Sequence, residues 1–204
     1  MDTAGERPPL RQVRALYSDD EVTVYQAYRP EIASAAVSAG RFVPPFKLDR
    51  MTWIKPSFLW MMYRSAWATR PGQERVLAVR LPREAFDGAL AAACLSSYDR
   101  TVYDSHDAWR ARLRGTSVRV QWDPEKTVTL DPLPWRSIQI GLGGAAARDY
   151  ATTWVRGITD VTATAHAVHA AVRAGDLATA AGLCPAERPY PLPAAAARAV
   201  GATT

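Results

Sequence analysis

The sequence predicts one α+β domain, built from mixed or antiparallel sheets with flanking helices. Apolar residues alternate over Glu21–Tyr28 and again over Val118–Trp122, the period of a half-buried strand. Helical segments fall between such strands without the strict β-α-β rhythm of a doubly wound fold. The 204 residues, 48 % hydrophobic and 22 % charged, suffice for one core of ordinary composition.

The elements follow in order. Residues 1–9 are polar and end in a Pro-Pro pair, and are expected to be disordered; the folded domain spans 10–175. After the strand at 21–28, Pro30 opens PEIASAAVSAG, with proline at a first helical position and Gly40 as the stop. Residues 41–50 read as a loop and 51–55 as a short strand. Pro56 opens a second helix, SFLWMMYRSAW, whose large apolar groups surround its axis, so it is expected to be buried. TRPGQ at 69–73 is a turn, VLAVRL at 76–81 a core strand and 83–94 a helix. Residues 95–115 are polar, with 107–113 helical. The strand at 118–122 is expected to break at Asp123-Pro124, and RSIQIGL at 136–142 is another strand. Helices are expected at 145–158 and 161–174. Residues 185–204, mostly Ala, Pro and Arg, read as a disordered tail.

Composition bounds the function. No apolar stretch is long enough to span a bilayer, and the N-terminus lacks the basic-then-apolar order of a secretory signal, so the cytoplasm is the expected compartment. Cys94 and Cys184 are too few for a disulfide framework and have no metal-ligand spacing. Net charge is +5, and the excess is local: Arg41, Lys47, Arg50, Lys55, Arg64, Arg70, Arg75 and Arg80 stand against only Asp49 and Glu74. Trp53, Trp60, Tyr63 and Trp67 lie in the same stretch, and cations interleaved with aromatics suit phosphates and bases, whether of a nucleic acid or of a nucleotide cofactor. A solvated arginine-rich surface over core tryptophans would read the same way.

Other constellations are weaker. His166 and His169 share a helical face but lack a third ligand; His106 stands alone, so histidine-based acid–base chemistry is disfavoured. GLGG at 141–144 lacks phosphate-loop spacing and reads as a turn. Asp123, Glu125 and Asp131 could hold a cation, although two Asp-Pro pairs look more like turn punctuation. Three segments put polar groups at the edge of apolar elements: Val24–Arg29, Trp53–Ser57 with Tyr63, and Ser137–Gln139.

The runs VYQAYRPEIASAAVSAGRFVPPF, DRMTWIKPSFLWMMYRS, VQWDPE and RSIQIGL closely resemble domain-of-unknown-function family 4291, from about Arg11 to His169. The layout is more distantly similar to the ADP-ribosyltransferase superfamily, particularly its histidine-type members that act on nucleic acids. That similarity implies an ADP-ribosyltransferase-like fold and NAD-dependent transfer of ADP-ribose, with DNA or RNA as a candidate acceptor. It also implies roles. Gln26, at the end of the first strand, and Ser57 would hydrogen-bond the nicotinamide-side ribose or amide, and Gln139 would fix a ribose hydroxyl or the acceptor, making these three the catalytic set. Tyr63 would stack on nicotinamide; Arg29, Lys55 or Arg64 would pair with the pyrophosphate; Tyr25 and Tyr28 complete the cofactor-binding set. No metal is implied. The motifs depart from the superfamily pattern in having Gln26 for a His or Arg and Gln139 for a Glu, and a Gln carries no negative charge. The rival readings are a non-catalytic nucleic-acid-binding protein, a nucleotide sensor and a partner-binding protein.

Overall fold

The computed structural model describes residues 8–203, and the architecture follows from two sheets that meet at one point. The first contains β2 (Glu21–Tyr28), β4 (Arg75–Pro82) and β8 (Gly157–Asp160), antiparallel and in the order β2-β4-β8. The second has the order β3-β7-β6-β5: β3 (Thr52–Ile54), β7 (Pro132–Leu142) and β6 (Val118–Lys126) are antiparallel, while β5 (Cys94–Leu95) joins β6 in parallel. A two-residue ribbon pairs β1 (Arg14–Ala15) with β9 (Arg188–Pro189). The helices are α1 (Pro30–Ala39), α2 (Phe58–Ser65), α3 (Arg83–Ala92), α4 (His106–Gly115), α5 (Gly144–Asp149), α6 (Thr162–Arg173), α7 (Leu177–Leu183) and α8 (Ala194–Val200). The fold is thus α+β with mixed and antiparallel sheets, and no helix among the described residues is long and apolar enough to cross a membrane.

Strand alternation explains why β2 and β4 are apolar on both faces. Val22, Val24, Leu77, Val79 and Leu81 enter the larger core, which also holds Ile54, Phe86, Leu90, Ile138 and Ile140. Tyr25 and Val76 point the other way, into a second core with Phe58, Met61, Met62, Trp67, Ala165 and Val168 from α2 and α6. A sheet covered on both sides needs little polar alternation, so β4 reads as a continuous apolar run, while β2 alternates and buries Thr23 and Gln26 as well. Helix α1 begins at Pro30 and stops at Gly40, whose φ of 64° is the left-handed cap that glycine adopts without steric cost.

Three expectations differ from the structure. First, β6 does not break at Asp123-Pro124 but runs on to Lys126, with a register shift between Pro124 and Lys126. Past Leu95 this edge of β6 has no neighbouring strand among the described residues, so the N–H that proline lacks is not missed there. Second, the helix expected over 145–158 stops early. Helix α5 passes into a π-helical turn at Tyr150–Trp154, and 157–160 becomes β8 by pairing with β4. Third, the segment expected to be a disordered tail carries β9 and α8. Tyr190, Ala196 and Val200 are buried, and Trp122 Nε1 donates to Val200 O at 2.7 Å. Alanine and proline are poor markers of disorder when small side chains are what a close helix contact needs.

Tyr190 measures how much that last segment contributes. Its ring packs edge-on against Tyr17 and Phe86, and its hydroxyl donates to Asp87 Oδ1 at 2.8 Å. Tyr190→Ala is expected to cost about 3 kcal/mol or more in chemical denaturation, the range for truncating a buried aromatic. A change near zero would mean that the segment does not hold the core.

Candidate functional site

The candidate site lies where β2 and β3 meet and then part. Tyr25 and Lys55 form a two-way backbone pair, with Tyr25 N–H to Lys55 O at 2.6 Å and Lys55 N–H to Tyr25 O at 3.2 Å. Beyond it the strands diverge, and the Gln26 side chain spans the gap. Its Nε2 donates to Thr52 Oγ1 at 2.7 Å and to Trp53 O at 3.0 Å, and its Oε1 accepts from the Tyr150 hydroxyl at 2.6 Å. The Tyr28 hydroxyl lies 3.1 Å from Thr52 Oγ1. Gln26 is 3 % exposed, so this network satisfies buried polar groups that would otherwise each cost about 1–3 kcal/mol.

The gap opens into two adjoining cavities of about 350 and 140 Å³ that share Ala27, Tyr28, Arg50, Thr52 and Gln73. Arg29 and Lys47 also line the larger; Lys55 and Arg64 line the smaller; neither is lined by a carboxylate. Lys55 is the unusual cation, at 4 % exposure. Its Nζ sits 4.7 Å from the centroid of Trp60 and makes no salt bridge among the described residues. Burial, then the nearby Arg64 guanidinium, pushes its pKa down to about 8, against an opposing pull from Asp123. A buried amine without an acidic partner, beside a cavity, is a ready anion site.

Lys55 also connects the cleft to one face of the second sheet. Trp53 lies opposite Gly141 and Gln121 opposite Gln139, so alternation puts Trp53, Lys55, Gln139, Gln121 and Asp123 on the same side. Gly141 leaves room for these side chains: a Cβ there would come within 2.6 Å of Met51 Sδ and 3.0 Å of the Trp53 ring, so both would have to shift. Gln139 spends both amide protons inside the protein, on Gln121 Oε1 at 2.5 Å and Asp123 Oδ2 at 2.7 Å. That fixes the amide's orientation, and no protein donor reaches its Oε1 among the described residues. Burial raises the Asp123 pKa, while Gln139, then Lys55, Arg136 and Lys126, oppose the rise.

The structure gathers some of the sequence-assigned residues and separates others. Gln26, Tyr28, Arg29, Lys55 and Arg64 line the cleft, and Gln139 stands on the face that Lys55 joins to it. Tyr25 and Ser57 are elsewhere. Tyr25 is buried edge-to-face against Phe58. Ser57 caps α2, accepting from Trp60 N–H and donating to Glu125 Oε1 at 2.9 Å. Tyr63 is 48 % exposed on α2, outside the residues lining the cleft, with Lys126 Nζ 3.8 Å from its ring centroid. His106 stacks on Tyr98 and His169 on Trp67, and no group of three or more potential metal ligands occurs among the described residues. Sequence reasoning did not single out Thr52 or Tyr150, and named Arg50 only within the basic stretch and Asp123 only as a possible cation ligand. The polar face of the strand at 118–122, extended by one alternation, points to Asp123; nothing local points to Tyr150, which is 124 residues from Gln26.

Lys55 yields a signed prediction. Its folded pKa lies below the unfolded value of about 10.4, so the unfolded chain binds more protons from roughly pH 8 to 10, and this destabilising contribution is relieved as pH rises through that window. Inorganic pyrophosphate binding, measured by calorimetry, should weaken as pH rises from 7 to 9, when the amine loses its charge. Lys55→Met should flatten this dependence while raising stability at pH 7. An unchanged pH profile in that variant would rule out Lys55 as the titrating anion ligand.

Comparison with known proteins agrees with the sequence motifs. No curated protein matches the chain. A family model described as "Domain of unknown function (DUF4291)" matches residues 12–190, which include both sheets and every residue of the site. The chain belongs to the DUF4291 family.

Proposed function

We propose that this protein transfers ADP-ribose from NAD to an acceptor, with nucleic acid as the candidate acceptor class. One observation carries the reading: an all-cationic cleft at the parting of β2 and β3 adjoins, through Lys55, a sheet face bearing the open carbonyl of Gln139. A dinucleotide needs cations for its pyrophosphate, flat apolar surface for its rings and an acceptor for its ribose hydroxyls. Arg50, Lys55 and Arg64 supply the first, Tyr28 and Phe46 the second, and Gln139 Oε1 the third. Breaking the nicotinamide–ribose bond builds positive charge on the ribose carbon, and a preorganised site lowers that barrier chiefly by position and electrostatics. Gln26 acts from beneath. With its amide committed to Thr52, Trp53 and Tyr150, it sets the width of the cleft rather than reaching into it.

The test is transfer of label from adenylate-labelled NAD to DNA, RNA or whole-cell protein, offered separately. Label is expected on one acceptor class and should fall about tenfold or more in Gln139→Ala, the loss of one well-placed hydrogen bond to a reacting centre. No label on any acceptor, together with no nicotinamide released, would remove the transferase reading.

A second reading has its own observation. Exposed Tyr63, backed by Lys126, is a flat aromatic surface beside positive charge, which suits base stacking without catalysis. In that case single-stranded nucleic acid binds, affinity falls steeply with salt, and Tyr63→Ala weakens it with no NAD consumed.

A further inference from the structure

The cleft offers more positive charge than the pyrophosphate of a dinucleotide uses. Five cations line its two cavities: Arg29 and Lys47 the larger, Lys55 and Arg64 the smaller, and Arg50 both. A pyrophosphate diester carries one negative charge per phosphate, and Arg50, Lys55 and Arg64 already answer it. Arg29 and Lys47 remain. Lys47 forms no ion pair among the described residues. Arg29 reaches only Glu31, at 3.7 Å with both side chains more than half exposed, a contact of little strength in water. Gln73 lines both cavities and so stands where they join. Its Oε1 is buried with no hydrogen-bond partner among the described residues, which costs about 1–3 kcal/mol until a donor arrives.

Resting on the transfer reading above, we propose that the donor dinucleotide carries a further phosphate on its adenosine ribose, so that NADP rather than NAD is the preferred ligand of the cleft. The pyrophosphate lies at Arg50, Lys55 and Arg64, and the extra phosphate at Arg29 and Lys47. The ribose hydroxyl left between them donates to Gln73 Oε1. The Gln73 amide turns about its last torsion, which is soft, to bring that oxygen to the cavity. The spacing allows this arrangement. Tyr25 is paired with Lys55 at one end of the cleft wall, and Tyr28 lies three residues further along β2, a rise of about 10 Å. A ribose with a phosphate on either side reaches across such a span. The guanidinium of Arg29 suits a phosphate monoester, because its planar donors meet two phosphate oxygens at once. Ile32, Pro45 and Phe46 give the larger cavity an apolar wall for the adenine beside its phosphorylated ribose. The nicotinamide half then continues past Lys55 toward the sheet face of Gln139.

Charge alone favours any more anionic ligand, so the test includes two isomers of equal charge. Calorimetry on the purified protein compares NAD with NADP, and adenosine 2′,5′-bisphosphate with adenosine 3′,5′-bisphosphate. NADP is expected to bind about tenfold or more tighter than NAD, and the 2′,5′ isomer about fivefold or more tighter than the 3′,5′ isomer. In the double variant Arg29→Ala with Lys47→Ala, the ratio of NADP to NAD affinity should fall to near one. Gln73→Leu should weaken adenosine 2′,5′-bisphosphate about fivefold while leaving its 3′-deoxy counterpart within about twofold, a difference that loss of packing would not produce. Thermal unfolding checks that each variant is folded. Affinities for NAD and NADP within about twofold, or a preference that survives in the double variant, would overturn the proposal. Equal binding of the two isomers would reduce the effect to charge and overturn it as well. Preference for the 3′,5′ isomer would assign the cleft to a nucleic acid strand instead of a dinucleotide. Nicotinamide release is followed in parallel. None from either dinucleotide would overturn the transfer reading, while calorimetry would still decide which dinucleotide the cleft prefers.

Discussion

Where the two sheets cross over their shared core, the polar joint is small: one pair of backbone hydrogen bonds between Tyr25 and Lys55, the Gln26 side chain just beyond it, and the Tyr28 hydroxyl beside Thr52. The rest of the architecture depends on this joint. A longer strand pairing would zip β2 against β3 and leave no cleft. A shorter one would leave Thr52 Oγ1 and Trp53 O buried without Gln26. The Gln26 amide matches the need, because it offers two donors and one acceptor in fixed geometry and finds a partner for each. Such fully satisfied buried networks favour one arrangement over near alternatives, since a slip of either strand would strand several groups at once.

The same joint decides where charge accumulates. Elsewhere some arginines are paired, Arg11 with Asp99, Arg75 with Asp160 and Arg80 with Glu21, while others, such as Arg70 and Arg136, form no ion pair among the described residues. In the cleft, Lys47, Arg50, Lys55 and Arg64 have no such partner among the described residues, and Arg29 reaches Glu31 only at 3.7 Å. Unpaired like charges in one depression oppose folding. A protein that keeps them there places its electrostatic strain where an anion would relieve it, which is the general relation between perturbed groups and binding sites.

Legibility in the sequence tracked the distance over which the deciding interaction acts. Strand 21–28 and helix 30–39 are set by alternation, a proline start and a glycine stop, all local, and the structure has them at those bounds. β8 is not local: GITD becomes a strand only because β4 offers an edge. The last segment is ordered by contacts with Trp122, Tyr17 and Phe86, more than sixty positions away, which composition cannot reveal. At the site the basic stretch was visible as charge, and Gln139 as the polar member of an apolar strand. For Ser57, a helix-capping hydroxyl and a ligand-binding one look alike in sequence, and the capping contacts show only once Trp60 and Glu125 are in place. Asp123 was discounted because Asp-Pro usually marks a turn, and the unpaired edge of β6 that permits proline in mid-strand is a tertiary fact.

Arg11 N–H donates to Thr203 Oγ1, Thr203 N–H donates to Arg11 O at 2.9 Å, and β1 pairs with β9. The earliest described strand therefore waits for the segment Arg188–Pro189 before this pairing can form. Contacts separated by 192 positions carry the largest loop-closure entropy among the described hydrogen bonds. Until then the apolar surface meant for Tyr190 and Val200 is open to solvent. Assembly order, rather than final stability, sets the interval in which this protein is exposed to aggregation and proteolysis.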